Sequence, residues 1–501
     1  MYTLFDPGGA TGAANTIAGV GSLINKGTLF DFSERDTIVQ VPFDNQAGSA
    51  INKSAGVGDL VFNGAYNNDG VVNVGSAAIR FAGAGAFSHA GAHNLGAGGR
   101  LQFDSGSHLF TTPSSITGSG GVTLAGGGAA DVTINGAFDI TGQTHINGDT
   151  LSLNSAASTG ILLLENSGVV DGSGSINSGG LFDFRGGSVN TMVTANGGIS
   201  FAGPGAMTIG GVVDNRGAAT WALGAESILG AGKFINNSTG SFSVTNAGGA
   251  TFDAAIENRG TVNINPGAAN TATINGAYVQ TAGTTTLTSG TLDVSGGPGV
   301  VLNGGTLNGG GTTLTGNVQN NSGTVAAGAS PGTLSINGNY GQGASGVLAV
   351  ELGGLVQGVS YDLLAISGTA GLNGTLQVST FGEFTGSAGD LFDVMTYASA
   401  VGDFTTRNLP VGYSFSTQNL GLSYRLGILG VPPPAPPPAP PAPPAPPAPP
   451  AALLAAGSSA NTETDLLISM DSSQDRFRFD LGSPLYSRDK GGELESIQMC
   501  R

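Results

Sequence analysis

The feature that most restricts this chain is a recurring string: an apolar residue, Asn, one or two residues, Gly, and then alternating apolar and polar side chains. Leu23-Ile24-Asn25-Lys26-Gly27-Thr28-Leu29, Val213-Asp214-Asn215-Arg216-Gly217 and Ile256-Glu257-Asn258-Arg259-Gly260 carry it. So do Phe234-Ile235-Asn236 ahead of Gly240 and Val318-Gln319-Asn320 ahead of Gly323. Asn215, Asn236 and Asn258 are 21 and 22 residues apart, and Asn320 follows 62 residues after Asn258, near three such units. A second string, Ile274-Asn275-Gly276-Ala277-Tyr278, returns as Ile336-Asn337-Gly338-Asn339-Tyr340 at the same 62-residue offset. Ile134-Asn135-Gly136-Ala137-Phe138 and Phe62-Asn63-Gly64-Ala65-Tyr66 are earlier copies. Residues 80–130 follow the period poorly.

A period near 20 made of short strands means a solenoid. The strands alternate, as in Thr261-Val262-Asn263-Ile264 and Thr291-Leu292-Asp293-Val294. Gly and Asn between them turn the chain. The expected fold is all-β, a parallel β-helix of ~21-residue coils over residues 1–345. Val, Ile and Leu point inward, with Thr, Asn and Ser outside. Roughly 16 coils at ~4.8 Å each give a rod of ~75–80 Å whose two ends must be capped.

Composition excludes the rivals. The 88 glycines among 501 residues argue against helices, because each interior Gly costs about 1 kcal/mol relative to Ala. Hydrophobic residues at 39% and charged residues at 10% argue against disorder. A formal charge of −17 repels nucleic acid and keeps a long particle soluble. No apolar run is long enough for a membrane-spanning helix. The opening Met1-Tyr2-Thr3-Leu4-Phe5-Asp6-Pro7 shows neither the basic nor the apolar region of an export signal. The one cysteine, Cys500, makes an intrachain disulfide impossible.

Beyond residue 345 the composition changes. Residues 346–430 carry longer apolar alternation and more aromatics, and read as a β cap. Its strands are Gly346–Leu352, Tyr361–Ile366, Gly374–Val378, Leu391–Met395 and Leu420–Tyr424. Residues 431–450 form a polyproline II linker, a spacer of ~60 Å at ~3.1 Å per residue over Pro432–Pro450. Residues 451–501 are a polar, disordered tail with a short helix at Ala451–Ala456.

The run from Ala329-Ser330-Pro331-Gly332-Thr333 to Asn339-Tyr340 is followed by Val350-Glu351-Leu352-Gly353 and Tyr361-Asp362-Leu363-Leu364. Gly374-Thr375-Leu376 and Asp390-Leu391-Phe392-Asp393 come next. This series resembles the C-terminal passenger part of autotransporter adhesins over about residues 325–427. The resemblance implies a right-handed β-helix exposed outside a Gram-negative cell, at the cell surface and associated with the outer membrane. The family's membrane barrel has no counterpart here, nor does the Asn-Pro-Asn-Gly motif of filamentous-haemagglutinin-type exoproteins.

Several patterns bear on chemistry. Gly328-Ala329-Ser330-Pro331-Gly332 fits a nucleophile elbow, but a strand rather than a helix follows Ser330. His89 and His93 would chelate a metal on a helix, which this Gly-rich segment does not predict; His108 and His145 stand isolated. Gly126-Gly127-Gly128-Ala129-Ala130-Asp131 is one imperfect copy of a calcium repeat, better read as a turn. Gly230-Ala231-Gly232-Lys233 lacks phosphate-loop spacing. A β-helix polysaccharide lyase or hydrolase needs clustered carboxylates and cations, for which Asp171, Asp183, Arg185, Asp214 and Arg216 are the candidates. No residue is assigned to catalysis, a cofactor or a metal. The expectation is a non-enzymatic, extracellular, adhesin-like passenger that displays a polar face to host or matrix glycans or proteins. A purely structural surface or biofilm component and a β-helix polysaccharide enzyme are the alternatives.

Overall fold

The computed structural model describes residues 2–4 and 13–430, apart from 223, 247, 329 and 330. The polyproline linker, the tail with its expected helix at Ala451–Ala456, Cys500 and Ser330 lie outside the described residues. Every regular element among the described residues is a strand, and the strands stack coil on coil as a parallel β-solenoid of about 15 turns.

Most strands pair with the third strand after them, so one coil contributes one strand to each of three faces. Ser115–Gly118 pairs with Ala137–Ile140 on the first face, Gly121–Leu124 with Gln143–Asn147 on the second, and Ala130–Ile134 with Thr150–Leu153 on the third. The strands are three to five residues long in most coils, short enough to fit between corners. Val71–Phe81 and Ala92–Phe103 are longer and run unbroken round the corner between the first two faces, with a register shift between Val74 and Ser76.

Coil length varies. The offset is 17 residues from Ile176 to Val193, 21 from Val213 to Phe234 and 24 from Ile228 to Phe252. Residues 80–130, which fit the sequence period poorly, have ordinary coils of 22 and 21 residues from Ile79 through Leu101 to Val122. The corner string, not the coil, is what is missing there.

The alternation works as read: Thr261–Ile264 buries Val262 and Ile264 and turns Thr261 and Asn263 outward. Coil after coil, such positions form one continuous core. Aromatics fill it between Phe43 and Phe110 and again between Phe182 and Phe252, where Trp221 meets Phe252 edge-on at 5.6 Å. Aliphatic side chains and Phe138 fill it in between.

The motif asparagines correct the expectation that Asn faces solvent. Asn25, Asn215, Asn236, Asn258 and Asn320 are all buried at corners. An inward carboxamide can cross the corner and accept or donate where the backbone has left its ladder. The Asn236 Nδ2 donates to Asn258 Oδ1 at 2.9 Å and to the Thr261 carbonyl at 3.0 Å. Asn215 donates likewise to Asn236 Oδ1 and to the Ser241 carbonyl. The Asn25 copy does not belong to the same row. It ends a third-face strand and donates to Asn45 Oδ1 at 2.7 Å, whereas Asn215 ends a first-face strand. The string is thus the local code of a corner, used at more than one corner of the coil.

The parallel ladder crosses residue 345 without a break. Val347–Leu352 and Thr375–Thr380 extend the second face, and Tyr340, Ala370 and Ala400 align on the first at 30-residue offsets. The pairing changes character only at the end. Leu391–Thr396 meets Ser423–Gly430 antiparallel, and that strand meets Ser414–Asn419. Phe392, Tyr397, Phe404 and Tyr424 are buried in this region. The strand expected at Leu420–Tyr424 instead begins at Ser423. Leu420 to Leu422 make the hairpin turn, where Gly421 sits at φ 88° and the Leu420 N–H donates to the Ser423 carbonyl.

Candidate interaction surface

Outward side chains of one coil lie in register with those of the next, so the surface is built of rows. The central row of the first face is polar without interruption from Asn52 through Asn73, Asn94 and Thr117 to Asp214. Neighbours in it bond directly. Asn73 Nδ2 donates to Asn52 Oδ1 at 2.6 Å, Asn94 Nδ2 to Asn73 Oδ1 at 2.9 Å, and Thr117 Oγ1 to Asn94 Oδ1 at 3.4 Å. Past Asp214 the row continues as Ile235, Glu257, Val279 and Val301. There the hydroxyl-rich strip passes to the second face, through Thr261 and Asn263, Thr284 and Thr286, and Thr306 and Asn308.

Two concavities matter. One, of about 350 Å³, runs beside the Asn row and is lined by Ser54, Asn73, Val74, Gly75, Asn94, Leu95, Gly96, Thr117 and Gly118. The other, of about 280 Å³, opens into the apolar interior of the first coils between Ile17, Leu23, Leu29, Val39 and Phe43.

The lyase or hydrolase constellation does not assemble. Asp171 ends a third-face strand, Asp183 sits on the second face and Asp214 on the first. The coil carries the three acids to three sides. Arg185 instead pairs with Asp183 at 2.6 Å, and Arg216 with Asp214 at 2.9 Å, each two residues along its own chain. The Gly126–Asp131 turn presents amides, not oxygens. The N–H groups of Gly126, Gly128 and Ala130 donate to the buried Asp149 carboxylate at 2.6, 2.8 and 3.0 Å. Lys233 pairs with Glu257 at 3.1 Å. Asp362 accepts the Gly332 N–H at 2.8 Å and the Glu351 N–H at 2.9 Å. Burial raises the Asp362 pKa against those two bonds.

The histidines differ from their reading. His108 and His145 are not isolated. His145 Nε2 lies 2.8 Å from Glu165 Oε1, one coil on. His108 is in the core with His89 and His93. His89 Nε2 approaches His108 Nδ1 at 3.4 Å, His93 Nε2 approaches Asn68 Nδ2 at 3.4 Å, and His89 stacks on Phe110 at 4.1 Å. Burial dominates their titration: His93 and His108 fall to about 4, and His89 falls well below the usual range. The 19-residue spacing of His89 and His108, close to one coil, was the signal in the sequence. No group of three or more His, Cys, Asp or Glu among the described residues is arranged to hold a metal ion.

No family model matches the chain, and no curated protein matches it. Among solved structures, the crystal structure of the Haemophilus influenzae Hap adhesin matches at 14% identity and a TM-score of 0.29. That match covers 81% of this chain, and the chain spans 64% of the adhesin's length.

Proposed function

We propose that this chain is a non-enzymatic, extracellular or cell-surface β-solenoid that acts as an adhesin-like passenger, binding glycans or matrix proteins along polar rows. The row from Asn52 to Asp214 carries the reading. It repeats one hydrogen-bonding group per coil over many coils, which suits weak contacts made many times over. The acids and bases, by contrast, are spent in separate ion pairs on separate faces. The passenger-like stretch at residues 325–427 supports export to the surface of a Gram-negative cell. Binding of the purified, labelled chain to a glycan and matrix-protein array tests the reading: concentration-dependent signal on a defined class supports it, and flat responses throughout leave a purely structural component. Release of reducing ends from a polysaccharide panel, lost on Asp214→Ala, would reverse the non-enzymatic assignment.

A further inference from the structure

We infer that the groove beside Asn73 and Asn94 is a binding site for an uncharged polysaccharide chain lying along the solenoid axis. The inference rests on the adhesin reading and assigns it a place and a ligand class. No ionisable side chain lines the groove, in a chain whose formal charge is −17. A neutral chain enters without repulsion, whereas an acidic one meets the field of the whole molecule.

The groove has two unlike sides. Its floor is bare backbone at Gly75 and Gly96 over the buried Val74 and Leu95. Gly75 is exposed, and a Cβ built on it would meet nothing closer than Ser54 Cα at 3.5 Å. Neither crowding nor a left-handed φ requires glycine there, in contrast to Gly118 at φ 123°, where a Cβ would run into the Leu95 carbonyl. The absent side chain at Gly75 leaves open a flat strip of backbone on which the C–H face of a pyranose ring can lie. The wall is the Asn row. Asn73 spends one N–H on Asn52 and one lone pair on Asn94. One N–H and one lone pair remain free. Asn94 is left the same way by Asn73 and Thr117, so these two rungs, ~4.8 Å apart, each offer a donor beside an acceptor, the complement of hydroxyls that both donate and accept along a sugar chain.

The test is affinity electrophoresis of the full chain through gels that hold neutral polymers (soluble glucans, a galactomannan, a xylan) or acidic ones (alginate, polygalacturonate). Retardation by at least one neutral polymer is expected. Gly75→Leu, which fills the groove from an exposed position, and Asn94→Ala, which breaks the wall, should each weaken it at least tenfold. Ser152→Ala on the third face should leave it unchanged. Circular dichroism and Trp221 fluorescence confirm that each variant is folded. Retardation by acidic polymers alone, or neutral binding that survives Gly75→Leu and Asn94→Ala, overturns the groove while leaving an adhesin that binds elsewhere. No retardation together with flat glycan and matrix arrays overturns both the groove and the reading beneath it.

Discussion

The coils from Tyr66 to Phe110 and the coils from Val212 to Gln342 share one backbone plan but fill it differently. In the first, buried polar atoms are carried mostly by rings, with Asn68 beside them: His89, His93 and His108 among Phe81, Phe87, Phe103 and Phe110. In the second they are carried by carboxamides, from Asn215 through Asn236 and Asn258 to Gln280. A carboxamide satisfies a corner without titrating. A neutral imidazole satisfies it only while it stays neutral. The parallel ladder sets the spacing in both regions, and the side chain chosen for the interior decides how each responds to acid.

The largest expected effect separates the two regions by pH. His93 and His108 titrate at about 4 in the fold, against about 6.5 when unfolded. Below pH ~6.5 the unfolded state binds the protons and the fold does not. Each ring then removes about 1.4 kcal/mol of stability per pH unit down to pH ~4. Hydrogen exchange should open residues 81–116 before residues 212–342 as the pH falls from 7 to 4.5, and replacing His89, His93 and His108 with Phe should flatten that response. An equal rise in exchange across both regions would erase the distinction.

The next effect probes the carboxamide row. Asn236→Leu takes from the Asn215 amide one of its acceptors, leaving the Ser241 carbonyl, and removes the bonds to Asn258 Oδ1 and the Thr261 carbonyl. A loss of about 2–4 kcal/mol is expected in chemical denaturation, with no change in acid sensitivity. Tyr340→Phe, which deletes the 2.6 Å bond from the buried hydroxyl to Gln342 Oε1, should cost about 1 kcal/mol. Lys233→Ala, at a half-exposed ion pair with Glu257, should cost less than about 0.5 kcal/mol and fade in salt.

The strand-level fold was legible because alternation is local: Thr261–Ile264 states its own inside and outside. The corner was half legible. Asn followed by Gly reads as a turn in any β protein, and whether the carboxamide points inward depends on a neighbour some 20 residues away. That is why the pattern alone points Asn236 outward, and why the Asn25 and Asn215 copies look alike although they occupy different corners. The His89–His108 contact was hidden for the same reason. The groove could not be read at all, since Gly75 looks like every other glycine until the coils above and below it are placed.

Stacking of coils along one axis underlies all of this, and distances between spin labels test it most directly. With Cys500 replaced by Ser, labels on first-face row positions Ser158 and Glu257 are five coils apart, and labels on Ser158 and Val301 are seven apart. At ~4.8 Å per coil the two separations should be about 24 Å and about 34 Å. Separations that fail to grow with the number of coils between the labels would contradict the solenoid itself.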